Sequence, residues 1–526
     1  MAGEQRMNLL ILMGDQHRYD ALGCAADGIE PWERTWLMDG PGGRPIVRTP
    51  HLDRLAATGV RFHQAVANLP VCVPCRHSFI TGLYPHQIGI LTNAHYWPFE
   101  PPVPTLPMYL KPAGYASAAI GKMHWKNRNA PAEHVPDKRG FDYRVTRGGT
   151  TDGPCDLSYL DFLTDEERRR RAELAERFGV GGESRAGYVG DVWPWPGARL
   201  PEAWLCEQAV HYLHEHHRQR PEQPFCLLVS LDRPHPPNVI PADYDGLYDP
   251  EQVPLPPPVP PGFQEDDHHL RRQIVARGWG EMDERELRLS ISRYLANVSY
   301  VDACLGRVLD ALDETGFAPR TLVVLLSDHG ELLGERGGGH TKYCLYDSAM
   351  RVPLIVRWPG VSRAGLVSHA AVELIDLLPT WLEAAGIEIP AYLPGRSLRP
   401  LLEGQTPEAA GWRSATLSEQ FTAVDRPGAP RGQWAYRERR YKLIERVSAR
   451  SALYDLWEDP HEHHNRIDDP RLAAERERLR TALLRDVITR AEQYPARHWP
   501  AVAIASAPST ARPSQAANER PAPAER

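Results

Sequence analysis

Four short apolar runs, each broken off by polar side chains, constrain the fold of this chain more than any other feature. They are Leu9 to Met13 ahead of Asp15, Ala116 to Ile120 ahead of Gly121-Lys122, Phe225 to Leu231 ahead of His235, and Leu322 to Leu326 ahead of Asp328-His329. A strand with one wet face alternates apolar and polar residues. A run without alternation belongs to a strand buried on both faces, as in a parallel sheet covered by helices. Helical segments lie between the runs, and Leu287 to Leu312 carries Leu and Val at helical spacing before a stop at Gly316. The pattern is α/β. In open sheets of this kind ligands gather beyond the carboxyl ends of the strands. Any one polar ending could be an ordinary loop, but four together point to a shared site.

Composition excludes several classes of function. At 526 residues with 42% hydrophobic side chains, the chain can bury a large core and is expected to form one large domain, 5–405, and a smaller one, 406–498. A formal net charge of −7 offers no basic stripe, so nucleic acid is not an expected ligand. No stretch approaches the ~20 apolar residues of a membrane helix. The apolar stretch Asn8 to Met13 is too short for a secretory signal and has no small-residue cleavage site, and eight scattered cysteines read as reduced thiols. The expectation is a cytoplasmic protein without membrane contact. From about Thr406 the texture changes to short segments, Ser414 to Glu419, Arg440 to Ile444 and Ala452 to Leu456, followed by the charged helical run Pro470 to Arg490. Residues 499–526, rich in Ala, Pro and Ser, are expected to be disordered.

Chemistry concentrates at Cys72-Val73-Pro74-Cys75-Arg76. Proline suits the first turn of a helix, which would place Cys72 at a helix N-terminus, where the dipole and Arg76 both favour negative charge. The same block also reads as a Cys-x-x-Cys redox pair, because a lowered thiol pKa serves disulfide exchange. Asp15-Gln16 and Asp328-His329 each set two oxygen or nitrogen donors at a strand end, types that suit calcium, magnesium or manganese. His211, His214, His216 and His217 lie on one helical stretch, but the neighbouring charges mark a surface or structural role rather than zinc. Glu166 to Arg177 reads as an exposed helix.

The Cys72 block resembles the Cys-x-Pro-x-Arg signature of the sulfatase family, part of the alkaline phosphatase superfamily, and Gly114 to His124 resembles that family's second signature from end to end. The resemblance spans roughly residues 8 to 460. It implies an alkaline-phosphatase-like large mixed sheet sandwiched by helices, with a smaller C-terminal α+β domain. It also implies a formylglycine made from Cys72 by a formylglycine-generating enzyme, and a divalent cation held by Asp15, Gln16, residue 72, Asp328 and His329. The Asp-Gln and Asp-His pairs look more like those of choline sulfatases and phosphonate monoester hydrolases than of lysosomal arylsulfatases, and leave calcium and manganese both open.

By the same resemblance, Arg76 and the cation would ionise the nucleophile, Lys122 and His124 would hold and deprotonate its second hydroxyl, and His235 or Lys342 would protonate the departing alcohol. Asn93 would donate to the ester oxygens. The implied activity is hydrolysis of a small aryl or alkyl sulfate ester, with a phosphonate monoester or phosphodiester hydrolase as the rival and a dithiol redox or binding protein as a third reading. Substrate identity would reside in the loops 126 to 200 and 240 to 290, where Trp193 and Trp195, with Trp125 just before them, are either pocket wall or packing. An assembly of identical copies is left open.

Overall fold

The computed structural model describes residues 6–93, 103–125, 138–148, 155–179, 182–421, 432–447 and 449–492. The segment 499–526 and the loop 126–137 lie outside the described residues.

The four apolar runs become neighbouring strands of one sheet. In chain order its strands are β1 (Asn8–Asp15), β2 (Val60–Phe62), β3 (Ala116–Gly121), β4 (Tyr143–Thr146), β5 (Leu157–Ser158), β6 (Phe225–Pro234), β7 (Thr321–Leu326), β8 (Leu354–Arg357) and β9 (Leu366–Ser368). They lie side by side as β9-β2-β8-β7-β1-β6-β3-β4-β5. The central strands β7, β1, β6 and β3 are parallel, with Asn8 paired to Thr321, Leu9 to Cys226 and Ala116 to Phe225. β8 runs antiparallel to β7 and makes the sheet mixed. Parallel register brings the carboxyl ends of the four runs to one edge, where Asp15, Lys122, His235 and Asp328 follow.

Burial explains the missing alternation. Leu9, Ile11 and Met13 pack into one apolar layer, while Leu10 and Leu12 pack into the other. Leu322, Val324 and Leu326 divide from Val323 and Leu325 in the same way. Successive side chains point to opposite faces, and both faces are covered. One layer is closed by helices α1 (Pro50–Thr58), α3 (Pro201–Gln219) and α4 (Glu284–Glu314), and the other by α2 (Cys72–Thr81) and α5 (Leu377–Ala384). The helix expected at Leu287 to Leu312 starts three residues earlier because Asp283 caps it, accepting from the Glu286 N–H at 2.8 Å.

A second sheet of four antiparallel strands, β10 (Ala415–Phe421), β11 (Gly432–Glu438), β12 (Tyr441–Arg446) and β13 (Ala452–Asp455), packs with helix α6 (Ala473–Glu492). The fold is the large mixed α/β sheet with a smaller C-terminal β domain. The helix Asp165–Phe178 buries only Glu167, Leu174 and Phe178, as its charge predicts. Trp125 stacks on Phe141 at 5.7 Å and Trp193 lies 5.0 Å from Trp195; both Trp125 and Trp193 belong to the core. Among the described residues no helix is long and apolar enough to cross a membrane.

Candidate active site

Helix α2 begins at Cys72, and Pro74, lacking an N–H, sits in the first turn where none is needed. The Asn93 side-chain oxygen accepts the Val73 N–H at 3.0 Å and its amide nitrogen reaches Tyr343 Oη at 3.4 Å. Asn93 therefore caps the helix that presents Cys72. Gly82 ends the helix at φ 67, and a Cβ there would meet Leu378 at 2.9 Å.

From this helix start, Cys72 Sγ lies 3.1 Å from His329 Nε2 and 4.0 Å from Asp15 Oδ1. Asp15, Cys72, Asp328 and His329 each bring one ligand atom within 4.8 Å of the others, and all four side chains are buried. Among the described residues this is the one such gathering of three or more His, Cys, Asp or Glu. The histidines of α3 form no such group; His216 is a core residue that bonds Gln223 O at 2.8 Å and packs on Phe225.

Arg76 binds this cluster together rather than facing a ligand. Its Nη2 meets Asp15 Oδ2 at 2.8 Å, its Nε meets Asp328 Oδ2 at 2.8 Å, and its Nη1 donates to Lys122 O and Ser230 Oγ. Lys122 Nζ sits 2.7 Å from Asp15 Oδ2 and 3.6 Å from Asp232 Oδ1. Burial works to raise the Asp15 pKa, but Lys122 and the other nearby cations outweigh it and hold that carboxyl well below its ordinary range. Two carboxylates this close in a dry site need positive charge beside them. Arg76 supplies part of it, and oxygen donors with one imidazole fit a divalent ion for the rest.

Gln16 adopts φ 64, an uncommon conformation for a side-chain-bearing residue. Its N–H donates to Asp328 Oδ1 at 3.2 Å, its amide nitrogen donates to Glu331, and its Oε1 accepts from Lys342 Nζ at 3.2 Å. His124, at φ 52, stands two residues past Lys122. Burial, then Lys122 and Arg76, push its pKa well below the usual imidazole value, so its ring is neutral. Between Ile120 and Lys122 only glycine fits: a Cβ on Gly121 would lie 1.9 Å from Ser230 O.

Opposite the cluster, Lys342 Nζ bonds Glu183 and lies 2.8 Å from His235 Nε2. An ammonium can only donate, so His235 Nε2 accepts and its Nδ1–H is given to Pro236 O at 2.7 Å. Burial works to lower the Lys342 pKa, but Glu183 and the other neighbouring acids together outweigh it and hold the ammonium well above its ordinary value.

Two expectations need correction. Cys72 is not a low-pKa thiol: burial, then Asp15, push it up to about 12. Nor is it paired with Cys75, which lies in the apolar core with its own thiol raised by burial; both are free. Sequence reasoning missed Glu183, Glu331, Ser230 and Asp232. Ser230 and Asp232 sit two apart on β6, and Glu331 two residues past His329, spacings that would have found them. Glu183 lies in a loop with no periodic signal.

Residues 7–387 match the family model Sulfatase, and residues 334–488 match N-sulphoglucosamine sulphohydrolase, C-terminal. The chain belongs to the sulfatase family. This sulfatase is 29% identical over 447 residues to a choline-sulfatase of Rhizobium meliloti, covering 82% of this chain and 80% of that one. It is 30% identical over 512 residues to the multifunctional alkaline phosphatase superfamily protein PehA of Trinickia caryophylli, covering 89% and 93%. Among solved structures, phosphonate monoester hydrolase SpPMH from Silicibacter pomeroyi matches with a TM-score of 0.72 at 27% identity, over 94% of this chain and 97% of that one. The sulfatase is thus a sulfuric ester hydrolase by family.

Proposed function

We propose that this sulfatase hydrolyses a small aryl or alkyl sulfate monoester, with residue 72 as the nucleophile after conversion of Cys72 to formylglycine by a formylglycine-generating enzyme. The observation that carries the reading is the buried meeting of Cys72 with Asp15, Asp328 and His329 at the carboxyl edge of the sheet, within 4.8 Å of one another. In this reading Sγ stands where a hydroxyl of the hydrated aldehyde would be. Asp15, Gln16, Asp328 and His329 would hold a calcium or manganese ion, which supplies charge to ionise that hydroxyl and polarise the ester.

The protein's own residues divide the remaining work. Arg76 keeps the two carboxylates together and on target, since its donors are engaged by them and by Lys122 O and Ser230 Oγ. Lys342 is the donor that protonates the departing alcohol, because the hydrogen bond it gives to His235 Nε2 leaves that nitrogen without a proton to offer. His235 positions it. Neutral His124 accepts the proton whose removal releases the inorganic anion. Asn93 caps α2 through its oxygen, and its amide nitrogen, 3.4 Å from Tyr343 Oη, would be the donor to the ester oxygens.

A phosphonate monoester or phosphodiester is the second reading, favoured by the imidazole in the donor set and, for the phosphonate, by the likeness to SpPMH. Eight unpaired cysteines support a reducing, cytoplasmic setting. The test is a kinetic panel of aryl sulfate, choline sulfate, phosphodiester and phosphonate monoester on matured protein with calcium or manganese supplied. Sulfate turnover lost in Cys72→Ala supports the proposal, and full activity in that variant overturns it.

A further inference from the structure

Glu183 has no part in the mechanism above, yet its carboxylate bonds the Lys342 ammonium at the heart of the site. Its place is built. The backbone oxygen of Glu183 accepts from Arg277 Nη1 at 3.1 Å and Trp279 Nε1 at 3.2 Å, and its side chain stays 13% exposed where Lys342 is buried. Burial favours its neutral form, but Lys342 and Arg277 hold its pKa below the ordinary range, so it is charged.

We propose that Glu183 is a charge filter, which lets the site accept esters bearing one negative charge and disfavours those bearing two. The proposal rests on the hydrolase reading above. Around Cys72 each cation already has a carboxylate: Arg76 has Asp15 and Asp328, Lys122 has Asp15, Arg147 has Asp232 at 2.9 Å, and Lys342 has Glu183. Counting also Arg277, against Glu183, and the buried Glu331, against the Gln16 amide, five cations face five carboxylates. Arg277 meets the outer oxygen of Glu183 at 3.6 Å and, like Arg147, is about a third exposed. A divalent ion together with an ionised nucleophile leaves a surplus of one positive charge. A sulfate monoester or phosphonate monoester cancels that surplus, whereas a phosphate monoester, doubly charged at pH 8, exceeds it. Without Glu183 the surplus would be two.

The test is Glu183→Gln, which keeps the size and the acceptor for Lys342 while removing the charge. Protein made without the maturation enzyme keeps the Cys72 thiol, neutral at pH 8, and binds without turning over, so the quantity read is the shift between wild type and variant rather than the absolute balance. Calorimetry at pH 8 with calcium should show the variant gaining roughly tenfold to a hundredfold in affinity for phenyl phosphate relative to phenyl sulfate, the effect of one charge a few ångströms away in a partly screened site. With matured enzyme, kcat/KM for aryl phosphate over aryl sulfate should rise by a similar factor. The ratio of phosphonate monoester to aryl sulfate, both monoanions, should not move. An equal loss on all three esters, or unchanged relative affinities, would mean that Glu183 only steadies Lys342 and would overturn the proposal. Absence of turnover in the matured wild type would instead count against the hydrolase reading, while the calorimetric comparison still decides the filter.

Discussion

Asp15, Asp328 and Arg76 form a closed cluster at strand ends, whereas Lys342, His235 and Glu183 meet across three loops. The first half needs little beyond the sheet. Parallel register sets Asp15 and Asp328 side by side, and one guanidinium spans both. The second half is held from behind by buried ion pairs: Arg18 bonds Asp20 and Glu335 and donates to the carbonyls of Glu331 and Leu332, and Arg336 pairs with Glu265, all in or against the segment that leads to Lys342. In the proposed reading, a rigid ion side and a loop-built leaving-group side would let one scaffold keep its nucleophile while changing its substrates.

That division can be broken at its strongest point. Arg76→Ala leaves two buried carboxylates facing each other and should cost about 3–5 kcal/mol of stability as well as all measurable turnover. Thermal unfolding at pH 8 reads the loss, and calcium should recover part of it. Retention of wild-type stability would mean that the strands alone hold the carboxylates. On the loop side, Lys342→Ala strands the largely buried Glu183 carboxylate, so it should lower the melting temperature while leaving the protein folded, and lower kcat by about 10²–10³. The loss should grow as the alcohol becomes a poorer leaving group, as the role proposed for Lys342 requires. An equal loss for nitrophenyl and alkyl sulfates would remove Lys342 from that role.

Between the two halves stands Glu331. It takes the Gln16 amide N–H, and Tyr188 Oη donates to the same oxygen at 3.3 Å, so the Gln16 oxygen is turned away from it. Glu331→Gln should let that amide flip and weaken ion binding by roughly 10–100-fold, read by equilibrium dialysis against calcium or manganese. Unaltered ion affinity with reduced turnover would show that Glu331 serves Lys342 instead.

The same division governs what could be read from the sequence. Continuous apolar runs identify strands covered on both faces, and the residue just past each run falls at the site edge by geometry alone, which is why Asp15, Lys122, Asp328 and the Cys72 helix were legible. Short strands such as Val60–Phe62 and Leu157–Ser158 carry too few residues for any period to show. β11 was missed because Gly432 opens it and its buried positions are Gln433, Ala435 and Arg437, so hydropathy does not follow burial along it. Glu183 reaches Lys342 from 159 positions away, through tertiary contacts that no local pattern encodes.

Away from both halves, one buried acid has less compensation than those around Cys72, and it tests whether the site's charge balance is special. Glu373 accepts from the Leu417 N–H at 2.8 Å, from Asn68 Nδ2 at 3.0 Å and from Tyr84 Oη, where the large sheet meets β10. Burial, helped by Asp376 and opposed by Arg413, raises its pKa to about 8 from 4.5. The folded state therefore binds a proton that the unfolded chain has released between those values, so this group's contribution is complete below pH 4.5 and is lost as pH rises through 8. Across pH 6 to 8 the loss should be about 2 kcal/mol. Glu373→Gln should remove that slope. Urea unfolding at pH 6 and 8 would show the wild type weakening relative to the variant, and parallel pH profiles would show that Glu373 is as well balanced as Asp15.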